Sequence, residues 1–226
     1  MSAPLQDQKY YQVARPNGFA ERIVVAARDR IFRDFIATMQ PSASDRVLDV
    51  GVSDVINDGA NVLERSYPHQ RNITACGLGA GLEFQAAFPL VRYVRIEPNV
   101  RLPFDDGSFD IATSNAVLEH VGSAANQRQF VGELCRVAKR VFITVPNRFF
   151  PVEHHTAIPF AHYQDGAFRF ACRLTGKSEW AREDNLILMT RARLRELAAP
   201  AGRSAEIGYT GLPIGPFSSN LYLAIR

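Results

Sequence analysis

The chain has 226 residues, of which 46% are hydrophobic and 22% are charged, a composition typical of one compact globular domain. Its formal net charge is +3, and acidic residues interrupt nearly every basic cluster, so nucleic acid is not an expected partner. No apolar run reaches the roughly 18 residues of a membrane helix, and the first residues lack the pattern of a secretory signal. We therefore expect a cytoplasmic protein without membrane insertion.

The three cysteines, Cys76, Cys135 and Cys172, lie far apart and without CxxC spacing. This pattern indicates neither a disulfide framework nor a thiolate zinc site. We predict that all three are reduced and buried.

Helices and strands are predicted to alternate along most of the chain. After Asn17 and Gly18, apolar residues recur every four positions and predict an amphipathic helix that ends near Pro41. Further helices are predicted over 59–67, over 81–88 and along the face of Phe130, Val131, Leu134 and Val137. Short apolar runs predict buried strands at 46–51, 72–79, 90–96, 109–115 and 140–146. This alternation predicts a parallel sheet that is covered on both faces.

The last third of the sequence differs from the rest. Residues 148–185 are rich in Phe, His, Pro and Arg without clear periodicity, and predict a lid or insertion with room for a short helix. Thr190 is the predicted N-cap of a helix over 191–199. Two strands, 204–210 and 219–226, are separated by a Gly- and Pro-rich turn and predict an antiparallel pair.

The resulting organisation is a single domain over 1–226. It comprises an N-terminal helical segment (1–45), a cofactor-binding core (46–147), the lid (148–185), and a C-terminal helix with the antiparallel strand pair (186–226).

Ligands of such sheets bind beyond the carboxyl ends of the strands, near the point where strand order reverses. The first strand ends in "LDVGVSD", where Gly51 permits a tight turn and Asp49 can hold loop amides or a ligand amine. The sequence has neither the GxGxxG motif of dinucleotide enzymes nor the GxxxxGK[ST] motif of P-loop proteins.

The segment "LPFDDGSFDIATSNAVLEHV", between "RVLDVG" and "RVFITVPNR", is more specific. Together these phrases resemble the class I S-adenosylmethionine-dependent methyltransferases, in particular the methyltransferase type 11 group, over residues 46–147. The resemblance implies a Rossmann-like sheet of seven strands, mostly parallel with an antiparallel C-terminal strand, and helices on both faces. It also implies S-adenosylmethionine as cofactor and S-adenosylhomocysteine as product.

The resemblance assigns roles by strand end. The first turn, Asp49 to Ser53, would contact the methionine part of the cofactor. Glu97 and Asn99 would face the adenine, and the end of the fourth strand would face the transferable methyl group. The residues implied for cofactor binding are Asp49, Gly51, Val52, Ser53, Gly77, Leu78, Glu97, Asn99, Ser114, Asn115 and Ala116.

Two positions depart from the family pattern. The first turn reads "GVSDV" and has fewer glycines than the usual GxGxG. The carboxylate that usually binds the ribose hydroxyls is replaced by Gly77, although Glu83 lies a few residues further on. Loss of that bond would weaken cofactor binding roughly tenfold to a hundredfold.

The phrase "NRFFPVEHHTAIPFAHY" follows the fifth strand and would hang over the same edge of the sheet. His155 and His120 are the candidate catalytic bases, because a histidine can remove a proton from an acceptor near neutral pH. Arg148, Glu153, His154 and Tyr163 are the candidate acceptor contacts. Packing of the lid and metal ligation are the alternatives, but "EHHT" matches no zinc spacing and no metal is expected.

The predicted function is methyl transfer to an oxygen or nitrogen of a small acceptor. The lid phrase resembles proteins of polysaccharide and O-antigen biosynthesis, which implies a sugar-containing acceptor. Two alternatives are a noncatalytic domain that binds a protein partner through Phe149, Phe150 and Phe160, and a nucleic-acid-binding enzyme of the same fold. The oligomeric state is not predicted.

Overall fold

The computed structural model describes residues 19–54, 56 and 60–226, with side chains from residue 23 onward. Residues 1–18 of the predicted N-terminal segment lie outside the described residues. The helices are α1 (Phe19–Met39), α2 (Val62–Ser66), α3 (Leu82–Ala87), α4 (Ala124–Val137), α5 (Asp165–Leu174) and α6 (Arg191–Ala198). The strands are β1 (Val47–Val50), β2 (Ile73–Gly77), β3 (Arg92–Arg95), β4 (Phe109–Asn115), β5 (Ala138–Pro146), β6 (Ala205–Thr210) and β7 (Asn220–Ile225).

The seven strands form one sheet in the order β3-β2-β1-β4-β5-β7-β6. Neighbouring strands from β3 to β5 pair in parallel, whereas β7 is antiparallel to both β5 and β6. The predicted fold class, a mostly parallel seven-stranded sheet with an antiparallel C-terminal strand, is confirmed. Strand order reverses between β1 and β4, which is where ligands bind in sheets of this type.

Each face of the sheet is covered by its own apolar core. On one face, Phe35 and Met39 of α1 pack with Leu63, Phe84 and strand residues such as Val47 and Phe142. On the other face, residues of α4 and α6, among them Leu134 and Leu194, pack against the alternate residues of the same strands. Burial on both faces explains why the central strands are almost wholly apolar.

The segment predicted as a lid contains α5 and, together with Leu186 directly after it, forms a small apolar core. Ile158, Phe168, Cys172, Trp180 and Leu186 form this core. Its sequence is not periodic because most of the segment consists of turns, with α5 as one longer helix. The segment therefore packs as a structured unit beside the sheet.

Local signals account for several element ends. The Thr190 side chain accepts a hydrogen bond from the backbone N–H of Arg193 and caps α6 as predicted. Ser123 caps α4 through the N–H of Asn126 in the same way. All three cysteines are free, but Cys135 is partly exposed, which corrects the expectation that it is buried. Among the described residues, no helix combines the length and apolarity needed to cross a bilayer.

Candidate active site

The turn after β1 lies at the centre of the carboxyl edge of the sheet. Gly51 has a φ of +105°, a conformation that residues with side chains rarely adopt. A Cβ atom at this position would also lie 2.1 Å from Cγ2 of Val117. The backbone N–H groups of Gly51 and Val52 both donate to the carbonyl of Cys76, at 2.8 and 3.0 Å. Both the turn and its contact with Val117 therefore require glycine at residue 51.

Asp49 lies beneath this turn, buried beside the carboxyl group of Glu64 from α2. Burial raises the pKa of Asp49, and burial together with the Asp49 charge raises the pKa of Glu64 well above its usual value. Two carboxyl groups this close and this buried share a proton rather than ionise together. The pKa of Glu64 is raised both by burial and by the neighbouring Asp49 charge, and neither of its carboxyl oxygens has a hydrogen-bond partner among the described residues.

A cavity of about 60 Å³ adjoins this pair. Its walls come from α1, the turn after β1, α2 and the strand ends, and include Arg28, Asp49, Gly51, Asn61 and Asn115. Small-molecule sites usually enclose about 300–1,000 Å³. This cavity can therefore hold part of a nucleoside-sized ligand, with the buried Asp49 carboxylate and the Asn115 amide as its polar groups.

The remaining predicted residues of the turn support the loop. Val52 and Ser53 are buried. Asn61 makes two hydrogen bonds to the backbone of Ser53, one to its N–H and one to its carbonyl. The Asp54 carboxylate accepts a hydrogen bond from the N–H of Gly81 at 2.8 Å and so joins this loop to the start of α3.

At the end of β2, protein atoms fill the space beside Gly77. A Cβ atom there would lie 2.6 Å from the hydroxyl of Tyr93 and 3.0 Å from the carbonyl oxygen of Val52. Leu78, which follows, is 43% exposed, and Glu83 is exposed on the first turn of α3. This strand end therefore offers no carboxylate side chain at residue 77 and no room for one.

The two residues predicted to face an adenine lie on the loop after β3. Glu97 is exposed, with a carboxylate oxygen 3.9 Å from Nη2 of Arg95. Asn99 is also exposed, has a φ of +57°, and accepts a hydrogen bond at its carbonyl from Gln129. The following "LPF" segment is held by Arg136, which donates to the carbonyls of Leu102 and Phe104.

The end of β4 places its three predicted residues differently. Ser114 is fully buried, and its hydroxyl donates to the carbonyl of Val50 at 2.7 Å, which ties β4 to β1. Asn115 lines the cavity and accepts a hydrogen bond from the hydroxyl of Thr144. Ala116 has a φ of +56°, and its N–H donates to the Thr144 carbonyl. Of the three, Asn115 has a side chain in contact with the cavity.

A cluster of histidines and carboxylates lies beyond β4, where the turn Leu118–His120 meets the lid. His120 Nε2 is 3.1 Å from His155 Nε2. Nδ1 of His120 is hydrogen-bonded to the carbonyl of Asn185, and Nδ1 of His155 is hydrogen-bonded to the carboxylate of Glu153. Trp180 stacks on the His155 ring with centroids 5.0 Å apart.

Two carboxylates of this cluster have opposite environments. Glu153 accepts hydrogen bonds from the N–H groups of His155 and Thr156 and from the Thr156 hydroxyl. These bonds and the facing His155 outweigh burial and lower the pKa of Glu153 to about 2. Burial raises the pKa of Glu119 to about 7, and it lowers the pKa of His120 to about 3. The sequence indicated neither the burial of Glu119 nor the contact between the two histidines.

The other candidate acceptor contacts bond within the lid. Arg148 donates to the carbonyls of His162 and Tyr163 and pairs with Asp165. The Tyr163 hydroxyl donates to the carbonyl of Phe149. His154 packs against Phe150, and burial lowers its pKa to about 4. These polar groups stabilise the lid itself.

Residues 75–141, from β2 into β5, match the family model described as a methyltransferase domain, Methyltransf_11. The matched region contains the end of β2, the "LPF" loop, β4 and the Glu119–His120 pair. This part of the chain is therefore similar to the methyltransferase domain family. The similarity implies S-adenosylmethionine as the cofactor, and it agrees with the resemblance that the sequence motifs carry.

Solved structures similar to this chain share its fold at low sequence identity. A SAM-dependent methyltransferase from Thermotoga maritima is 13% identical, with a TM-score of 0.57 and coverage of 92% of this chain and 93% of that one. A chain of a Haloferax volcanii complex between the activator Trm112 and a methyltransferase is 14% identical, with a TM-score of 0.59 and coverage of 91% and 92%.

The YcgJ protein from Bacillus subtilis is 14% identical, with a TM-score of 0.57 and coverage of 87% and 97%. No curated protein matches the sequence. These matches over most of the chain show that it shares the fold of these solved structures.

The residues of the carboxyl edge fit the cofactor at one end. The Gly51 turn, the buried Asp49 carboxylate and the Asn115 amide surround a cavity where the methionine portion would lie. The ribose end is different, because Gly77 and the Tyr93 hydroxyl stand where a carboxylate would be needed.

Proposed function

We propose that this methyltransferase transfers a methyl group to an oxygen or nitrogen of a small, sugar-containing acceptor. The observation that carries the proposal is the cavity at the point of strand reversal, which joins Asp49, Gly51 and Asn115. These residues would hold the methionine end of S-adenosylmethionine, which when bound supplies an activated methyl group with its own leaving group.

The protein's own contribution is alignment and the exclusion of water. Asp49 is buried beneath the turn after β1, and Asn115 is fixed by the hydroxyl of Thr144, so both polar groups are held before a ligand arrives. Groups preorganised in this way lower the entropic cost of bringing donor and acceptor together. The lid contacts the turn after β4 through His155 and His120, and in this proposal it shields the reacting atoms from water.

Aromatic side chains of the lid support a sugar-containing acceptor. Phe149 and Phe160 are 43% and 60% exposed, and the ring centroids of both lie within 6 Å of Tyr163. Partly exposed aromatic rings beside a few polar groups are typical of small-molecule sites. We propose this aromatic surface, formed by Phe149, Phe160 and Tyr163, as the place where the acceptor binds.

The histidines are poorly placed to remove a proton from the acceptor. The two Nε2 atoms point at each other, and each Nδ1 atom is bonded to an oxygen of the protein. A general base must lie within hydrogen-bond reach of the proton that it removes. We therefore assign His120 and His155 to the attachment of the lid, and we propose that the acceptor atom is already nucleophilic or is activated by other means.

Calorimetric titration with S-adenosylmethionine and S-adenosylhomocysteine tests the donor site. We expect binding in the micromolar range by the wild type and at least tenfold weaker binding by Asp49→Asn. Asp110→Asn, at the opposite edge of the sheet, is the control and should bind as the wild type does. Absence of binding by the folded wild type would instead favour the noncatalytic, partner-binding alternative.

A further inference from the structure

The cluster between the turn after β4 and the lid holds three potential metal ligands. They are one carboxylate oxygen of Glu119 and the Nε2 atoms of His120 and His155, and these atoms all lie within 4.8 Å of one another. Glu119 and His120 belong to the turn Leu118–His120, whereas His155 belongs to the lid. The sequence does not indicate this set, because 35 positions separate the two histidines.

The hydrogen bonds made by the two Nδ1 atoms orient both histidine rings so that their Nε2 atoms face each other. His120 Nδ1 lies 2.7 Å from the carbonyl oxygen of Asn185, which can only accept, so this nitrogen carries a proton. His155 Nδ1 lies 2.8 Å from carboxylate oxygen Oε1 of Glu153, whose other oxygen, Oε2, accepts from two backbone N–H groups. When neither ring carries a second proton, both Nε2 atoms present lone pairs to each other at 3.1 Å. This contact is repulsive unless a cation or an additional proton lies between them.

Glu119 supplies a second, independent observation. It is 1% exposed, and within the described part of the chain neither of its carboxylate oxygens has a hydrogen-bond partner. One of them lies 3.9 Å from Nε2 of His120. A buried carboxylate without hydrogen bonds is costly, and coordination of a cation offsets that cost.

We propose that Glu119, His120 and His155 bind one divalent transition-metal ion of the zinc type. Two imidazoles and one glutamate form an established zinc ligand set, in which a fourth position remains for another ligand. With metal–nitrogen distances of about 2.0–2.1 Å, nitrogen atoms 3.1 Å apart subtend an angle of about 100° at the ion, close to tetrahedral.

The groups behind the ligands are those that metal-binding histidines usually have. Asn185 presents a carbonyl to His120, and Glu153 presents a carboxylate to His155, so each ring is held with Nε2 directed inward. Glu153 is in turn fixed by Thr156. The bound ion would attach the lid, through His155, to the end of β4, through Glu119 and His120.

The test uses the full-length chain, free of any affinity tag and stripped of metal with a chelator. Calorimetric titration with Zn²⁺ alone should show one ion per chain with a dissociation constant in the micromolar range or below, whereas Mg²⁺ should not bind. Glu119→Gln and His155→Gln should each weaken Zn²⁺ binding at least tenfold. His69→Gln, which changes an exposed histidine outside the cluster, should bind as the wild type does.

A measurement on the wild type keeps the proposal testable if these variants do not fold. In ¹⁵N-edited NMR spectra of the histidine rings, Zn²⁺ should shift the Nε2 signals of two histidines and leave their Nδ1 signals protonated. Lack of stoichiometric binding, equal binding by both folded variants, or unchanged Nε2 signals would overturn the proposal and indicate a shared proton. Because no donor is added, the result is independent of S-adenosylmethionine binding.

Discussion

The hydroxyl of Tyr93 lies 2.6 Å from the point where a side chain at residue 77 would begin, and it donates a hydrogen bond to the carbonyl of Gly79. The carbonyl oxygen of Val52 lies 3.0 Å from the same point on the turn after β1. Residue 77 is thus a glycine because a tyrosine and a backbone carbonyl occupy the space of its side chain. The family resemblance puts the ribose of the cofactor at this strand end, where residue 77 offers it no carboxylate.

Gly77→Ala is therefore expected to destabilise the protein. The added methyl group would contact a partly buried tyrosine that is itself hydrogen-bonded and a backbone oxygen that cannot move freely. Overpacking of this kind costs about 1–3 kcal/mol. Urea unfolding, followed by circular dichroism, should show a lower transition midpoint for the variant.

Gly132→Ala is the matched control for this substitution. Gly132 lies within α4, and a Cβ atom there would have no neighbour within 4 Å. Because alanine favours helices over glycine, this variant should be more stable than the wild type by about 0.5–1 kcal/mol. Equal stability of Gly77→Ala and the wild type would show that Tyr93 moves away at little cost.

Glu64→Gln tests the buried carboxyl pair with Asp49. Because the pKa of Glu64 is raised in the folded state, its proton is retained above pH 4.5 in the folded protein and lost in the unfolded one. Wild-type stability then falls as the pH rises from about 4.5 toward the raised pKa, at about 1 kcal/mol per pH unit. Glutamine keeps a donor for Asp49 and does not titrate, so the variant should gain in relative melting temperature between pH 5 and pH 8.

Glu196→Gln, on the exposed surface of α6, controls for the loss of one carboxylate. Its melting temperature relative to the wild type should be nearly the same at both pH values. If the melting-temperature difference between Glu64→Gln and the wild type were also independent of pH, the pKa of Glu64 would not be raised and the pair with Asp49 would not share a proton.

The order and character of the strands could be predicted because each is a short apolar run buried on both faces. Phe109–Asn115 was predicted to the residue, and Thr190 was predicted as a helix cap from its position before an amphipathic run. Such signals are local in sequence. The turn at Gly51 was likewise visible as a glycine directly after a buried strand.

Contacts between distant segments could not be predicted in this way. Glu64 lies on a five-residue helix, and nothing in the sequence shows that this helix directs a carboxyl group toward Asp49. Tyr93 lies on an edge strand whose other residues are exposed or half-buried. Its position over Gly77 depends on how β2 pairs with β3, which the sequence does not show. The histidine contact similarly depends on how the lid folds back on the turn after β4.

Arg136→Lys tests whether the "LPF" loop belongs to the donor site. The guanidinium group of Arg136 binds the carbonyls of Leu102 and Phe104 and the carboxylate of Glu133 at the same time. Lysine lacks this planar set of donors, so we expect a loss of about 2 kcal/mol in stability. S-adenosylhomocysteine should also bind several-fold more weakly by calorimetry, because the loop carrying Glu97 and Asn99 would be displaced.

Arg128→Lys provides the comparison for Arg136→Lys on the same helix. Arg128 is exposed, so both stability and ligand binding should stay as in the wild type. If Arg136→Lys lost stability but kept full affinity for S-adenosylhomocysteine, the loop after β3 would not be part of the donor site.

Glu153→Gln is expected to loosen the lid. Glu153 is 4% exposed, and its two carboxylate oxygens accept hydrogen bonds from His155 and Thr156 through both backbone and side-chain groups. An amide replaces one acceptor oxygen with a donor, which would face other donors in a buried site. The loss of charge-assisted bonds should cost about 2–3 kcal/mol. Limited trypsin digestion should cleave the Glu153→Gln variant near Lys177 faster than it cleaves the wild type.

Glu183→Gln, at an exposed position of the lid, is the control and should be cleaved at the wild-type rate. Equal cleavage of Glu153→Gln and the wild type would mean that the small apolar core around Trp180, rather than Glu153, holds the lid in place.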